Sequence, residues 1–526
     1  MGQVFYVSAV RELANDDPAT IDAELAVLVR KQFVRPERSD LPGTDALAVR
    51  HLLIRDAAYD AIPKATRAGL HERFAEWLDE AAGALGEQDE ILGYHLEQAY
   101  RYRLELGPVG EEDRRLSENA GRRLASAGGR AFARSDISAS VTLLARAVAL
   151  LAQDDPLRLR IMSDLGESLA TAGDLEGARA VLSEARERAE AVGDDRQRAH
   201  AAMQRRMWVG DGDVSETRRD AERALDVFEA AGDERGLSRA WRVLGDLDFA
   251  DGQVGANERA LERALVHARN AGDAGEQAAI YAELSVILIR GPTPVGEGIR
   301  RCEEVLEETH GNRTIAGAMF HALAHLRARR GEFEEALSLA EQCRKIHWEN
   351  GAMRTFWVLA EILWDIKMLA GEPSDAFAIL TEGYEHLEQM GDTFPFLAGF
   401  LGRSLYAIGQ FEAAQPRAEL AAESEDLLVR NSGRGVLAKV LARQGRLEEA
   451  ELMAREAVAS FEDTEFLIDH TDVLMDLAEV LRLADRPGDA ASAVRDALDL
   501  YERKEDVVSA GKARKLIEEL TDPSRR

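Results

Sequence analysis

The sequence predicts an all-α protein, a one-dimensional array of about ten helical hairpins. Three observations carry this expectation. The chain has 526 residues, too many for one compact core unless the fold grows by repetition. A helix–turn–helix pattern recurs along most of it, and small residues stand at two fixed distances after each turn.

One unit reads LGESLATAGDLEGARAVLSEARERA over residues 165–189: an apolar-periodic helix, a Gly173-Asp174 turn, and a second, alanine-rich helix. Corresponding turn residues are Ser135, Gly173, Gly212, Gly252, Gly291, Gly331, Gly371, Gly409, Gly445 and Asp485, spaced 36 to 40 apart. Glycine suits the positive φ that ends a helix. Five residues after the turns stand mostly Ala, Ser, Thr or Gly, as in Ser140, Ala178, Ala336, Ala414 and Ala490. Twelve residues after them stand Ala147, Ala185, Ala224, Ala264, Cys343, Gly383, Ala421, Ala457 and Ala497, with Glu303 the one departure. A second helix that packs closely on its neighbours needs small side chains there, because large ones hold the axes apart. The unit at Gly291 is the least regular, since Pro292 and Pro294 interrupt its turn.

Trp241, Leu244 and Gly245 in WRVLGDLDFADGQ reproduce a W-x2-L-G start, and ARRGEFEEALSLAEQC and LARQGRLEEAELMAREAV repeat the same grammar. The array resembles tetratricopeptide repeats. Its period of about 39 residues exceeds the usual 34, which implies helices about a turn longer. The resemblance implies a right-handed superhelix whose first helices line a groove, over residues 116–520, with a disordered tail at 521–526.

Residues 1–60 read differently. PATIDAELAVLVRKQFV is a helix, and FVRPERSDLPGTDALAVRH reads as two short strands around a Pro-Gly turn. Helix plus hairpin is expected to be part of a winged helix, followed by linker helices over 61–115 that divide near Pro63 and bury Leu70, Phe74, Trp77 and Leu78. The stretch VRHLLIRDAAYDAIPKATRAGLHERFAEWL resembles the segment that joins an ATPase module and its winged helix to a repeat array in actinobacterial class III adenylate/guanylate cyclase-like proteins and related signal-transduction ATPases. That resemblance implies the C-terminal half of such a protein, with an upstream ATPase module as partner in the intact molecule. It also nominates His51 as a remnant of a nucleotide contact; a strand-end histidine packed on the following helix is the plainer alternative.

The chemistry expected of the chain is binding. No G-x-x-x-x-G-K-[ST] occurs to cradle phosphate and no paired metal-binding carboxylates suggest a cyclase centre, so no catalytic residue, cofactor or enzymatic activity is expected. A fragment of a cyclase-type enzyme lacking its catalytic and ATPase domains is the rival reading, and a DNA-binding regulator a more distant one. A formal charge of −30, with ten Lys or Arg against fourteen Asp or Glu in residues 1–80, has the wrong sign for nucleic acid or anionic membrane. No apolar run spans a bilayer and no signal peptide is visible, so the cytoplasm is the expected compartment. Cys302 and Cys343 form no motif and are expected as buried small apolar residues. Trp348, Trp357, Trp364, Phe394, Phe396 and Phe400 are expected mostly to pack between repeats.

The repeat register nominates the groove wall. Arg206, Arg239, Arg242, Phe249 and Tyr281 come from its first half; His321, His325, Arg329, Glu361 and Asp365 from its middle; Phe396, Arg403, Tyr406, Lys439 and Arg443 from its end. Basic and aromatic residues dominate, which points to a partner protein or peptide, extended or helical, that brings carboxylates. Internal pairing of these arginines with neighbouring acids is the alternative. If they serve as partner anchors, Arg239, Arg242 and Arg403 are expected to be exposed, so that their removal leaves stability nearly unchanged. His321 and His325, four apart on one helix face, have metal-ligand spacing, but no H-E-x-x-H pattern or third ligand is apparent, so no metal is expected.

Overall fold

The computed structural model describes residues 4–522 except 15, 40–43, 83–87, 135, 211–212, 310, 351 and 391–394. The expected tail at 521–526 lies, beyond Asp522, outside the described residues, as do Ser135, Gly212 and Phe394. The chain divides into two compact units, Met1–Gly212 and Asp213–Arg526.

The first unit opens with β1 (Val4–Tyr6), α1 (Val7–Leu13), α2 (Pro18–Arg30), β2 (Val34–Glu37) and β3 (Ala46–Val49). β3 lies between its neighbours in an antiparallel sheet of order β1-β3-β2, with Val34 opposite Val49 and Phe5 opposite Leu47. Ala46, Leu47 and Ala48 are buried, so the central strand has apolar residues on both faces. Helices α3 (Leu52–Asp60) and α4 (Lys64–Ala82) part at Pro63, as the sequence predicts, and α5 (Asp89–Leu106) follows. Phe74, Leu78, Leu92, Leu96 and Ala9 close one core, against which Leu70 and Trp77 pack.

Hairpins then take over: α6 (Glu111–Ala133) with α7 (Ile137–Leu150), α8 (Pro156–Thr171) with α9 (Leu175–Val192), and α10 (Asp195–Val209) at the end of the unit. The starts of α7, α8, α9 and α10 are each punctuated by an aspartate whose carboxylate accepts a backbone N–H: Asp136 from Ala139, Asp155 from Leu157, Asp174 from Gly177 and Asp194 from Gln197.

The second unit is α-helical throughout its described residues: α11 (Val214–Ala231), α12 (Glu234–Ala250), α13 (Val254–Asn270), α14 (Ala274–Arg290), α15 (Val295–Glu308), α16 (Arg313–Arg329) and α17 (Phe333–Glu349), then α18 (Met353–Val358) and α19 (Ala360–Ala370), which together occupy one first-helix position. It continues through α20 (Pro373–Gln389), α21 (Pro395–Ala407), α22 (Phe411–Ala422), α23 (Leu427–Arg443), α24 (Leu447–Ala459), α25 (Leu467–Leu483), α26 (Pro487–Lys504) and α27 (Val507–Thr521). The small-residue slots are buried as their spacing implies: Ala264, Ala336, Ala376, Ala414, Ala450, Ala457, Ala490 and Ala497 are all fully buried.

The turn register holds at Gly173, Gly252, Gly331, Gly371, Gly409, Gly445 and Asp485, all with positive φ. It fails at Gly291, whose φ of −78° needs no glycine. Glycine stands there because a Cβ would lie 2.7 Å from Val254 Cγ1 and 2.8 Å from the Ile287 carbonyl. The register in this unit runs one residue early, since Val295, Ile299 and Cys302 are the buried positions of α15. The small-residue slot is therefore Cys302, not Glu303, and it matches buried Cys343 one unit on. Burial pushes both thiols up to about 12, so they are inert apolar fillers.

Candidate functional site

The inner face of the second unit is where the expected groove residues meet. This unit curls until its ends touch. Glu465 N–H donates to the Gly252 carbonyl at 2.9 Å, and its carboxylate accepts the Gly255 N–H at the start of α13, 2.6 Å away. Glu505 accepts the Gly296 N–H at the start of α15. The fully buried Lys504 Nζ donates to the carbonyls of Leu288 and Gly291, at 2.8 and 2.7 Å, at the end of α14. Lys512 does the same to Met368 and Leu369 at the end of α19. Helix ends expose unpaired N–H groups at the start and carbonyls at the finish, and these four contacts place an acid or an amine where the charge suits. Burial, aided by Arg329, lowers the Lys504 pKa to about 7.

One set of carboxylates on the inner face comes from one side of α25, where Asp469, Asp472, Asp476 and Glu479 recur at helical spacing. Arg290 binds Asp469 at 2.5 Å. Arg403 reaches Asp472 at 3.4 Å and Asp476 at 3.2 Å, while Lys439 binds Asp476 at 2.6 Å. Tyr406 donates its hydroxyl to Glu479 and accepts from Arg443, whose guanidinium also pairs with Glu479. The depth of the site and the neighbouring Asp476 carboxylate outweigh Arg403 and push the Asp472 pKa up to about 6.

A second cluster lies one step along the array. His325 Nδ1 is 2.6 Å from Asp365 Oδ2, His321 Nε2 is 3.0 Å from Glu361 Oε1, and Arg329 binds Asp365 at 2.8 Å with Asp506 3.7 Å away. Burial alone would lower the His325 pKa; the two carboxylates outweigh it and push it up to about 9. Burial lowers His321, against the pull of Glu361. Glu361 and Asp365, though buried, are held well below the usual carboxylate range, Glu361 by His325 and His321 and Asp365 by Arg329 and His325.

The remaining nominated residues scatter. Arg239 and Arg242 are 2% and 7% exposed, with Arg242 bonded to Glu276 at 2.9 Å and Glu283 at 2.5 Å. Arg403 is likewise largely enclosed, its side chain 13% exposed. The expectation that these three stand exposed fails: Arg239 and Arg242 are covered by Glu276 and Glu283 of the next repeat, and Arg403 by Asp472 and Asp476 of α25. Tyr281 belongs to a hydrophobic core cluster and accepts from Arg269. Phe249 meets Phe466 edge to face, and Phe396 lies under Arg290. Arg206 sits in the first unit, bonded to the Gly210 carbonyl of its own helix end. His51 caps α3 without a side-chain hydrogen bond and is exposed, so it is neither packed nor gathered with any other nominated residue.

Between the aromatic and charged walls lies a cavity of about 200 Å³. Trp364, Phe396 and Phe400 form one side, with Trp364 and Phe400 stacked at 4.1 Å. Arg329, Arg403, Asp469 and Ser432 form another, and among the described residues Arg329 Nε, Arg403 Nε, Ser432 Oγ and Asp469 Oδ2 find no hydrogen-bond partner.

Sequence reasoning missed Arg290, Glu276, the α25 acids, Lys504 and Asp506. One signal was present: His321 and His325 face Glu361 and Asp365, each 40 residues on, so adding one repeat length to a groove position finds its partner. The contacts that span about 210 residues leave no such trace.

Tetratricopeptide-repeat family models match residues 159–184, 320–342 and 434–464. The fold is a tetratricopeptide-repeat array. No curated protein sequence matches the chain. Among solved structures it is similar to the Cut9–Hcn1 hetero-tetramer of APC/C, at 13% identity over 90% of this chain and 99% of that one, TM-score 0.46. A Rap protein complexed with Competence and Sporulation Factor is similar at 12% identity over 69% and 97%, TM-score 0.37. The signal transduction ATPase PH0952 from Pyrococcus horikoshii, which has a tetratricopeptide repeat sensor, is similar at 13% identity over 99% of this chain and 63% of that one, TM-score 0.28. Such repeats form protein–protein interaction scaffolds and are typically non-catalytic. Among the described residues, no helix is long and apolar enough to cross a membrane.

Proposed function

We propose that the chain is the sensor arm of a multidomain signalling regulator, and that it reads a short peptide segment held in the cavity of the second unit. The observation that carries this is the pairing of an aromatic wall, Trp364, Phe396 and Phe400, with buried polar atoms that no protein group satisfies. A buried donor left unpaired costs about 1–3 kcal/mol, so the Arg329 and Arg403 Nε–H groups and the Ser432 hydroxyl favour a ligand that brings an acceptor. A carboxylate beside an apolar or aromatic side chain fits both walls. The inner arginines are already balanced, Arg290 and Arg403 by the α25 acids and Arg329 by Asp365, so the preference is for one acidic group placed at these donors, not for a polyanion. In the intact regulator, binding would bias how tightly the unit curls, and an upstream ATPase module would respond; this step rests on the resemblance of residues 49–78 to such proteins.

The test is a selection from a randomised short-peptide library, followed by affinity measurement against Phe396→Ala and Ser432→Leu. Binders should share an acidic residue next to an apolar or aromatic one and should weaken at least tenfold in both variants. A selection without a shared motif, or affinities unchanged in both variants, would refute the reading.

A further inference from the structure

We propose that His321, His325 and Glu361 form a binding site for a divalent transition metal, of which Zn²⁺ is the best fit. The sequence analysis found two histidines and no third ligand. The third group arrives from the next repeat, where α19 carries Glu361 beside α16. Both histidines direct Nε2 at the same oxygen, Glu361 Oε1, at 3.0 Å from His321 and 3.4 Å from His325. All three ligand atoms lie within 4.8 Å of one another. Zinc bonds of about 2.0–2.1 Å in a tetrahedron place ligand atoms about 3.3 Å apart, so these spacings suit one ion at the point where the three converge.

The surroundings of the rings argue for the same use. A metal-binding histidine generally engages its other ring nitrogen with a carboxylate or another polar group, which fixes tautomer and orientation. Here His325 Nδ1 is held by Asp365 at 2.6 Å and His321 Nδ1 by Ser285 Oγ at 3.2 Å, leaving both Nε2 atoms for the shared point. The cationic side chains nearby are themselves paired, Arg329 with Asp365 and Arg290 with Asp469. His325 and Glu361 also line the cavity, so solvent can supply a fourth ligand. Histidine nitrogen with one carboxylate excludes a calcium-type site, which takes oxygen ligands alone. This inference does not depend on the peptide reading.

The experiment uses the full chain after chelator treatment and dialysis. Titration calorimetry with Zn²⁺ should show one saturable site per chain, and Co²⁺ in its place should give the intense visible absorption of a tetrahedral complex with nitrogen ligands. His321→Ala and Glu361→Gln should weaken binding at least a hundredfold. Asp365→Asn, which removes the carboxylate that orients His325 and pairs with Arg329, should weaken it about 10- to 100-fold. His386→Ala, whose ring stacks on Trp357 elsewhere, should bind as the parent does. Helicity of each metal-free variant is checked first. If a variant unfolds, the Co²⁺ spectrum of the parent decides, because weak octahedral absorption overturns the proposal. So does a parent with no saturable Zn²⁺ site, or a site that persists in both ligand variants.

Discussion

Each unit encloses a pair of histidines, and one member of the second pair, His325, behaves in the opposite way to the first pair. In the first unit His71 Nδ1 lies 2.8 Å from His95 Nδ1, and His71 Nε2 meets the Tyr59 hydroxyl, which in turn meets Tyr102. These partners are neutral. Burial therefore lowers both imidazoles, His71 to about 4 and His95 to about 2. In the second unit His325 is equally buried but faces Glu361 and Asp365, and its pKa stands near 9. Burial is common to both, so the partner that the fold delivers decides the charge. The histidine cluster of the first unit is aromatic and polar; that of the second is ionic, with its acids from the next repeat.

The sharpest way to break the ionic core is to remove a cation and leave its acids in place. Arg242→Ala takes from Glu276, whose side chain is 3% exposed, its 2.9 Å partner and leaves it Arg239 at 3.8 Å, and it uncovers Glu283. Removing one member of a buried pair typically costs about 3–5 kcal/mol, and chemical denaturation should show a loss of that size. A loss below about 1 kcal/mol would mean the pair is hydrated and the ionic core is not buried in any energetic sense.

The neutral pair should show itself through acid. His71 has a folded pKa of about 4 against an ordinary 6.5, so between those values the unfolded chain binds more protons than the folded one. Its contribution is complete above pH 6.5 and is lost as pH falls through the window towards 4. At 1.36 kcal/mol per unit the loss is about 3 kcal/mol. Hydrogen exchange of α4 and α5 peptides should rise over that range, and His71→Gln should lessen the dependence while leaving the part that His95 contributes. An unchanged exchange profile from pH 6.5 to 4 would place carboxylates near the pair and erase the contrast.

Packing in the second unit offers a smaller test. A Cβ on Gly433 would lie 2.5 Å from Ala422 N and 2.7 Å from the Ala418 carbonyl, backbone atoms that cannot swing away. Gly433→Ala should cost about 1–3 kcal/mol by overpacking, although alanine has the better helix propensity. A gain in melting temperature would show that α22 and α23 can part freely.

What the sequence makes legible is local and periodic. The hairpins, the turns and the small-residue slots follow from side chains within one repeat, so their spacing alone exposes them. The Gly291 unit misleads because Pro294 opens α15, and the buried set starts at Val295, one residue early. The groove list names one partner of most ion pairs, since first-helix positions do point inward. It could not name Asp469, Lys504 or Asp506, because those residues arrive by the curl of the second unit, which is a sum of small rotations between repeats and has no motif of its own. Exposure was misjudged for Arg239 and Arg242 because Glu276 and Glu283 of the next repeat close over them, and for Arg403 because α25 does.

Helix caps carry that contrast to its smallest measurable scale. Three second helices, α7, α9 and α11, and several first helices start at a local aspartate cap, as Asp174 does for α9 and Asp213 for α11. At α13 and α15 the residues in the cap position, Gln253 and Pro294, make no side-chain bond. Their N–H groups are met instead by Glu465 and Glu505, about 210 residues later. Glu465→Ala should therefore cost about 1 kcal/mol, in the range of a lost cap, and should do so through the curl as well as through the helix. The distinguishing readout is hydrogen exchange. Asp174→Ala should raise exchange only at the start of α9, whereas Glu465→Ala should raise it at the start of α13 and also in the 463–466 segment, whose Glu465 N–H is bonded to Gly252. If exchange rises at α13 alone, the remote glutamate is a cap and nothing more, and the closure of the second unit is held by Lys504, Lys512 and the ionic core without it.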